Sequence, residues 1–188
     1  WNMGKKISVD SSTMMNKVFE IIEAKKIFDI DINKFQILTH PKSYVHAIVK
    51  FKNGLTKILI HDTSMEIPIH NSIFGINNSM INSKKLNLKI LNNFNFKKID
   101  KKKFPVINIL NLIPSKNSLF ETVLVAANDE LVNLFLKKQI KYQDITKKLI
   151  KILSRDEFNK FKRKTPKNFN EIKRLNRYVR LKTQSLSI

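Results

Sequence analysis

Cysteine is absent from these 188 residues, glycine occurs three times, and only five of the 36 basic side chains are arginine (Arg155, Arg163, Arg174, Arg177 and Arg180). The first absence removes disulfides, thiolate metal sites and a cysteine nucleophile together, so any metal must be held by oxygen or imidazole. Three isolated glycines (Gly4, Gly54, Gly75) leave no Gly-rich phosphate-binding turn of the dinucleotide type. There is no run of 18 or more apolar residues and no charged-then-apolar leader with a small-residue cleavage site, so a soluble cytoplasmic protein without membrane contact is expected. An initiator methionine is also missing, and because the chain opens at Trp1 inside a motif it reads as a fragment.

What is present is enough apolar residue, 42% of the chain, for one or two globular domains with a real core. The net charge of +21 points on its face to nucleic acid or an acidic surface. Two features discount it. The lysine surplus comes with abundant Ile and Asn and little Gly, as AT-rich coding produces, and every arginine lies from Arg155 onward. Phosphate contact needs clustering rather than bulk charge, so no nucleic-acid partner is expected. A basic polyanion-binding module is the competing class.

Along the chain, Met15, Val18, Phe19, Ile22 and Ile27 recur at helical spacing and predict one amphipathic helix from Ser11 to Phe28. Its entry falls in the Ser11-Ser12-Thr13 cluster, where a hydroxyl can accept from a free first-turn N–H, worth about 1 kcal/mol. Asn53-Gly54 between two β-rich runs predicts a hairpin with a type I′ turn. From Ile69 to Lys103 periodicity fades and a connecting segment with a short strand or helix is expected. Beyond Pro105 the runs "FPVINILNLI", "SLFETVLVAANDELVNLFLKKQ", "YQDITKKLIKIL" and "NFNEIKRLNRYVRLKT" predict a small helical bundle.

On the first helix Asn16, Lys17 and Glu20 fall within an arc of about 100°, opposite Met15, Val18, Phe19 and Ile22. An amide, an ammonium and a serine hydroxyl near a helix N-terminus suit a phosphate and its neighbouring hydroxyls. A carboxylate there repels the phosphate unless a hard divalent cation lies between. Spacing alone equally describes an i,i+3 surface pair worth a few tenths of a kcal/mol, with serines that merely cap.

"WNMGKKISVDSSTMMNKVFEIIEAKKIF", then "ILTHPKSYVHAIVKF" and the later "VLVAANDELVNLFL" resemble the 1-deoxy-D-xylulose 5-phosphate reductoisomerases, NADPH-dependent enzymes of the methylerythritol phosphate route to isoprenoids. The resemblance is densest from Trp1 to His46. It implies an α+β chain (α/β overall in the full enzyme): residues 1–74 as the second half of a mixed-sheet catalytic domain, 75–103 as a connection, and 104–188 as a C-terminal helical domain. It also implies that Ser11, Asn16 and Lys17 bind the substrate's phosphate and hydroxyl oxygens, and that Glu20 ligates a divalent metal, Mg²⁺ or Mn²⁺, that touches substrate. Trp1 then covers the substrate on a flexible loop, with Met3 beside it, and Met3, Gly4 and Met65 bind the nicotinamide cofactor. Glu66 departs from the family pattern, which has a basic residue there and motivates a paralogue acting on another sugar phosphate.

The resemblance further implies a homodimer. It gives His40 and His46 no metal role, and their spacing of six across a His-Pro turn suits bracing of the next strand. Asp129 stands where the family more often has Glu, which touches an interdomain contact. The other acidic metal ligands, the active-site lysine and the Gly-rich turn are missing from these residues, so by themselves they are expected to be inactive.

Overall fold

The computed structural model describes residues 4–75, 80–85 and 87–187. In chain order the elements are α1 (Lys5–Thr13), α2 (Met15–Phe28), β1 (Leu38–Thr39), β2 (Val45–Lys50), β3 (Thr56–Ile60), α3 (Glu66–Phe74), α4 (Leu88–Leu91), β4 (Lys97–Lys98), α5 (Phe120–Leu136), α6 (Tyr142–Leu153), α7 (Asp156–Asn159) and α8 (Phe169–Ser187). Helices with two small antiparallel sheets make this an α+β chain. It divides into two compact units: Ile37–Ile99, and the residues up to Gln36 together with those from Asp100 onward. Packing thus groups the first helices with the C-terminal ones, a division that does not follow linear boundaries at 74 and 103. No helix among the described residues is long and apolar enough to cross a membrane.

In the smaller unit β1 pairs with β4 and β2 with β3. The hairpin register runs from Val45 opposite Ile60 to Lys50 opposite Thr56, with an irregularity between Val45 and Ala47. The expected hairpin is present but its turn differs. Phe51 and Leu55 still pair (N···O 2.8 Å), Gly54 N–H donates to the Phe51 carbonyl at 3.1 Å, and only Gly54 takes positive φ, 89°. Asn53 instead accepts Leu55 N–H on its side chain at 3.1 Å. A longer loop closed by a left-handed glycine replaces the two-residue type I′ turn, because Asn53 gains a backbone partner without adopting positive φ.

His40 braces the next strand as its spacing suggests, with Val45 N–H donating to Nε2 at 3.2 Å, and its ring meets Phe94 and Phe96 edge-on. His46 stacks on His61 with ring centroids 3.6 Å apart. In the aperiodic stretch α4 forms where Asn87 Oδ1 accepts from Lys89 N–H (3.0 Å) and Ile90 N–H (3.3 Å), and Lys97–Lys98 forms β4. Both a short helix and a short strand occur there.

The larger unit is the bundle predicted from the helical runs. Phe120, Leu124 and Leu131 of α5, Leu149 of α6, Phe158 of α7 and Val179 of α8 are completely buried. Burying each such side chain contributes roughly 1.5–3 kcal/mol. Pro105–Leu112 is a 3-10 turn rather than an α-helix. Met15 and Val18 of α2 are also fully buried, so the apolar face read from the sequence is correct there, but Ile27 is 73% exposed and lies outside the core.

Candidate functional site

The expected single helix from Ser11 to Phe28 is two helices. The first begins at Lys5, and the break falls at Met14, whose φ of 67° and ψ of 16° are left-handed. For a residue with a Cβ this costs roughly 1–2 kcal/mol and persists only where the surroundings enforce it. Ser11 and Ser12 therefore lie inside the end of α1 rather than at a helix start. Met14 N–H donates to the Ser11 carbonyl (3.1 Å), and Ser12 Oγ donates to the Val9 carbonyl (2.8 Å) and accepts from the Tyr142 hydroxyl (3.1 Å). The capping acceptor of the cluster is Thr13, whose Oγ1 accepts Met15 N–H at 3.4 Å.

The kink places Asn16 and Lys17 in the first turn of α2, at the positive end of its dipole, where an anion is favoured; Met15 N–H is already taken by Thr13 Oγ1 and Lys17 N–H by the Met14 carbonyl at 3.2 Å, so the polar groups on offer there are side chains. Asn16 Oδ1 is buried and has no hydrogen-bond partner among the described residues. An unsatisfied buried acceptor costs on the order of 1–3 kcal/mol, so it marks a place where a donor from a bound molecule would be stabilising. Lys17 Nζ donates to both carboxylate oxygens of Glu20, at 2.8 and 2.9 Å, on the exposed face. That pair is the bland i,i+3 contact its spacing allows, and it also keeps a cation and a hard oxygen ligand side by side.

Gly4 caps α1 with φ −58° and ψ 152°, a conformation open to any residue, and a Cβ built there would meet nothing within 4 Å. Neither the backbone nor packing among the described residues requires glycine. Met65 belongs to the other unit, where it immediately precedes α3 and is 53% exposed. Trp1 and Met3 lie outside the described residues. Among the described residues no three His, Asp or Glu side chains gather to hold a metal, so Glu20 offers one hard ligand and not a complete site.

Sequence reasoning missed a charged cluster on the other side of the kink. Asp10, only 4% exposed, accepts from Asn128 Nδ2 and from Lys6 Nζ, each at 2.8 Å. Lys6 Nζ also lies 2.9 Å from Asp129 Oδ1, and Arg180 donates to Asp129 Oδ2 at 2.6 Å. Burial pulls the Lys6 ammonium pKa down, but its hydrogen bonds and charge contacts with Asp10 and Asp129 together outweigh that and hold it above the ordinary lysine value. The available signal was the i,i+4 spacing of Lys6 and Asp10, with Asp10 flanked by Val9 and Thr13 on the buried side.

The sequence profile of the DXP reductoisomerase C-terminal domain matches residues 61–182, more than half of the chain, and that of the 1-deoxy-D-xylulose 5-phosphate reductoisomerase C-terminal domain matches residues 1–28. The chain belongs to the DXP reductoisomerase family. It is 58% identical over all 188 residues to the 1-deoxy-D-xylulose 5-phosphate reductoisomerase of Pelagibacter ubique (strain HTCC1062), covering 48% of that protein. It is 37% identical to the Aquifex aeolicus (strain VF5) reductoisomerase over 82% of this chain and 40% of that protein. The chain thus spans about half, or less, of the length of these relatives.

Solved structures of family members superpose on nearly the whole chain. A Zymomonas mobilis reductoisomerase in complex with NADPH matches with a TM-score of 0.82 and 29% identity, over 97% of this chain and 47% of that one. A reductoisomerase in complex with NADPH, fosmidomycin and magnesium matches with a TM-score of 0.86 and 27% identity, over 98% and 46%.

Proposed function

We propose that this chain forms the phosphate-binding and metal-side part of an NADPH-dependent reductoisomerase, a cytoplasmic homodimer that converts 1-deoxy-D-xylulose 5-phosphate to 2-C-methyl-D-erythritol 4-phosphate. Residues 1–74 then belong to its catalytic domain, 75–103 to the connection and 104–188 to the helical domain. The observation that carries the reading is Asn16, Lys17 and Glu20 on one face of α2 after a left-handed kink, with the Asn16 acceptor buried and unpartnered among the described residues. The bound molecules of the relatives support it: NADPH, magnesium and fosmidomycin.

In this reading Lys17 leaves Glu20 for the substrate phosphate, Ser11 donates its hydroxyl to a phosphate oxygen, and Asn16 Oδ1 accepts from a substrate hydroxyl. Holding the phosphate far from the reacting carbons supplies binding energy that orients them for the retro-aldol and aldol rearrangement. Glu20, freed from Lys17, offers its carboxylate to the divalent ion together with ligands from the rest of the enzyme. When bound, that ion supplies Lewis acidity at the substrate's carbonyl and hydroxyl oxygens. Trp1 excludes water from above the substrate, and Gly4 lets the nicotinamide of NADPH approach for hydride transfer.

The test joins this chain to the N-terminal remainder of the Pelagibacter ubique relative and follows NADPH absorbance on adding 1-deoxy-D-xylulose 5-phosphate with Mg²⁺. Substrate- and metal-dependent NADPH loss is expected; none from a folded, metal-loaded joined enzyme overturns the reading. In the same enzyme Lys17→Ala removes a charge-assisted phosphate contact, worth about 1.5–3 kcal/mol, and raises KM for the substrate about 10- to 100-fold. An unchanged KM would contradict the role of Lys17. Gly4→Ala leaves the melting temperature nearly unchanged, because the added methyl meets nothing, while NADPH affinity measured by fluorescence falls about tenfold.

A further inference from the structure

We propose that Asp10 and Asn128 are a positioning pair that fixes the kink at Met14, and with it the reach of Ser11, Asn16 and Lys17 toward the substrate phosphate. The proposal rests on the reductoisomerase reading above and adds residues that touch neither substrate nor cofactor.

Asp10 immediately precedes Ser11, yet its carboxylate is buried on the side of α1 that faces α5. A buried anion one residue from a phosphate ligand is adverse for anion binding unless it is neutralised and turned away, and both conditions hold. One oxygen accepts from Asn128, itself 1% exposed in the middle of α5, and the other accepts from Lys6. The contacts continue outward from Lys6 to Asp129, from Asp129 to Arg180 on α8, and from Arg180 Nη1 to Glu130 Oε2 at 3.8 Å. Arg180 is held in turn by Asn176, whose Oδ1 accepts from Nε at 2.9 Å.

Buried ionic networks add little net stability compared with apolar packing, and their best-attested use is to fix one register between elements. An apolar residue at position 10 would let α1 roll or slide on α5. The directional bonds of Asp10 permit one placement. That placement matters because Met14 is left-handed and strained, so the angle between α1 and α2 is not set by helix geometry and must be imposed from outside. A second tie, from Lys25 of α2 to Glu121 at the start of the same helix (3.5 Å), fixes the far side of the kink. With α1 and α2 each fastened to α5, that helix is the template on which the phosphate ligands are spaced.

The experiment uses the joined enzyme and compares Asn128→Ala, the exchange Asp10→Asn with Asn128→Asp, and the wild type. KM for 1-deoxy-D-xylulose 5-phosphate, kcat, NADPH affinity and melting temperature are measured for each. Asn128→Ala is expected to raise KM tenfold or more with NADPH affinity within twofold, and the exchange, which keeps one amide donating to one carboxylate, to recover most of that loss. A folded Asn128→Ala with wild-type KM overturns the proposal, as does an equal loss of substrate and NADPH affinity, which would mean general loosening.

If Asn128→Ala does not fold, the exchange decides alone: wild-type KM supports the pair, while a raised KM or failure to fold overturns it. Lys17→Ala separates the two readings. Where the wild type is active but Lys17→Ala leaves KM unchanged, the phosphate site itself is wrong, whatever Asn128 does.

Discussion

Glu20→Gln in the joined enzyme lowers turnover at limiting Mg²⁺ about a thousandfold and leaves NADPH affinity within twofold. The carboxylate is a hard, charged oxygen ligand, and replacing it with an amide removes several kcal/mol of metal interaction, about three decades at roughly 1.4 kcal/mol per decade. The amide keeps the side chain's shape, so packing is not disturbed on a face where Glu20 is 51% exposed. NADPH is spared because Gly4, assigned to it together with Met3 and Met65, has its carbonyl bonded by Ser8 and not by Glu20. If the pair with Lys17 were only a surface contact, the same substitution would change stability by a few tenths of a kcal/mol and turnover not at all. Metal titrations of wild type and variant, read by NADPH loss, separate these outcomes. An unchanged titration removes Glu20 from the metal site.

The sequence carried the identity of the polar face, because a helical period of 3.6 residues places Asn16, Lys17 and Glu20 opposite Met15 and Val18 wherever the helix begins. It did not carry the start of that helix. Serines at positions 11 and 12 have weak helix propensity and read as a cap, but in the fold Val9, Asp10 and Thr13 are buried, and that burial holds the serines within α1. The left-handed Met14 was invisible for a similar reason: the usual marker of positive φ is glycine or asparagine, and methionine gives none. Ile27 was miscounted because period alone cannot tell where an apolar face runs past the edge of its partner.

The helical runs from Phe120 onward were legible because their apolar residues recur at one spacing over long windows, whereas Pro105–Leu112 tightens into a 3-10 turn. The Asp10–Asn128 contact joins residues 118 apart in the chain, and nothing local to either announces the other. Asp129 was noticed as a departure from the family pattern, but that it receives both Lys6 and Arg180 follows only from the packing of α1, α5 and α8.

The second tie to α5 gives the largest expected loss of stability. Lys25 is 5% and Glu121 4% exposed at the side chain; Lys25 Nζ donates to the Pro114 carbonyl at 2.8 Å and lies 3.5 Å from Glu121 Oε1. The other Glu121 oxygen accepts from Ser118 N–H and Ser118 Oγ, both at 2.9 Å. Lys25→Met keeps the volume but leaves a buried carboxylate without its cation and the Pro114 carbonyl without its donor, so unfolding free energy falls by about 3–5 kcal/mol. Adding Glu121→Gln removes the stranded charge while an amide oxygen still accepts from Ser118, so the double variant regains about 1–2 kcal/mol over the single one. Urea unfolding of the joined enzyme measures both, and a double variant less stable than Lys25→Met would show that charge is not what couples the two residues. Because Lys25 lies more than two helical turns from Asn16, the folded fraction of Lys25→Met should raise substrate KM less than Asn128→Ala does. Loss at this end of α2 therefore appears mainly as stability, whereas loss at the Asp10 end of α1 appears mainly as substrate affinity, although each tie fastens one side of the same kink to α5.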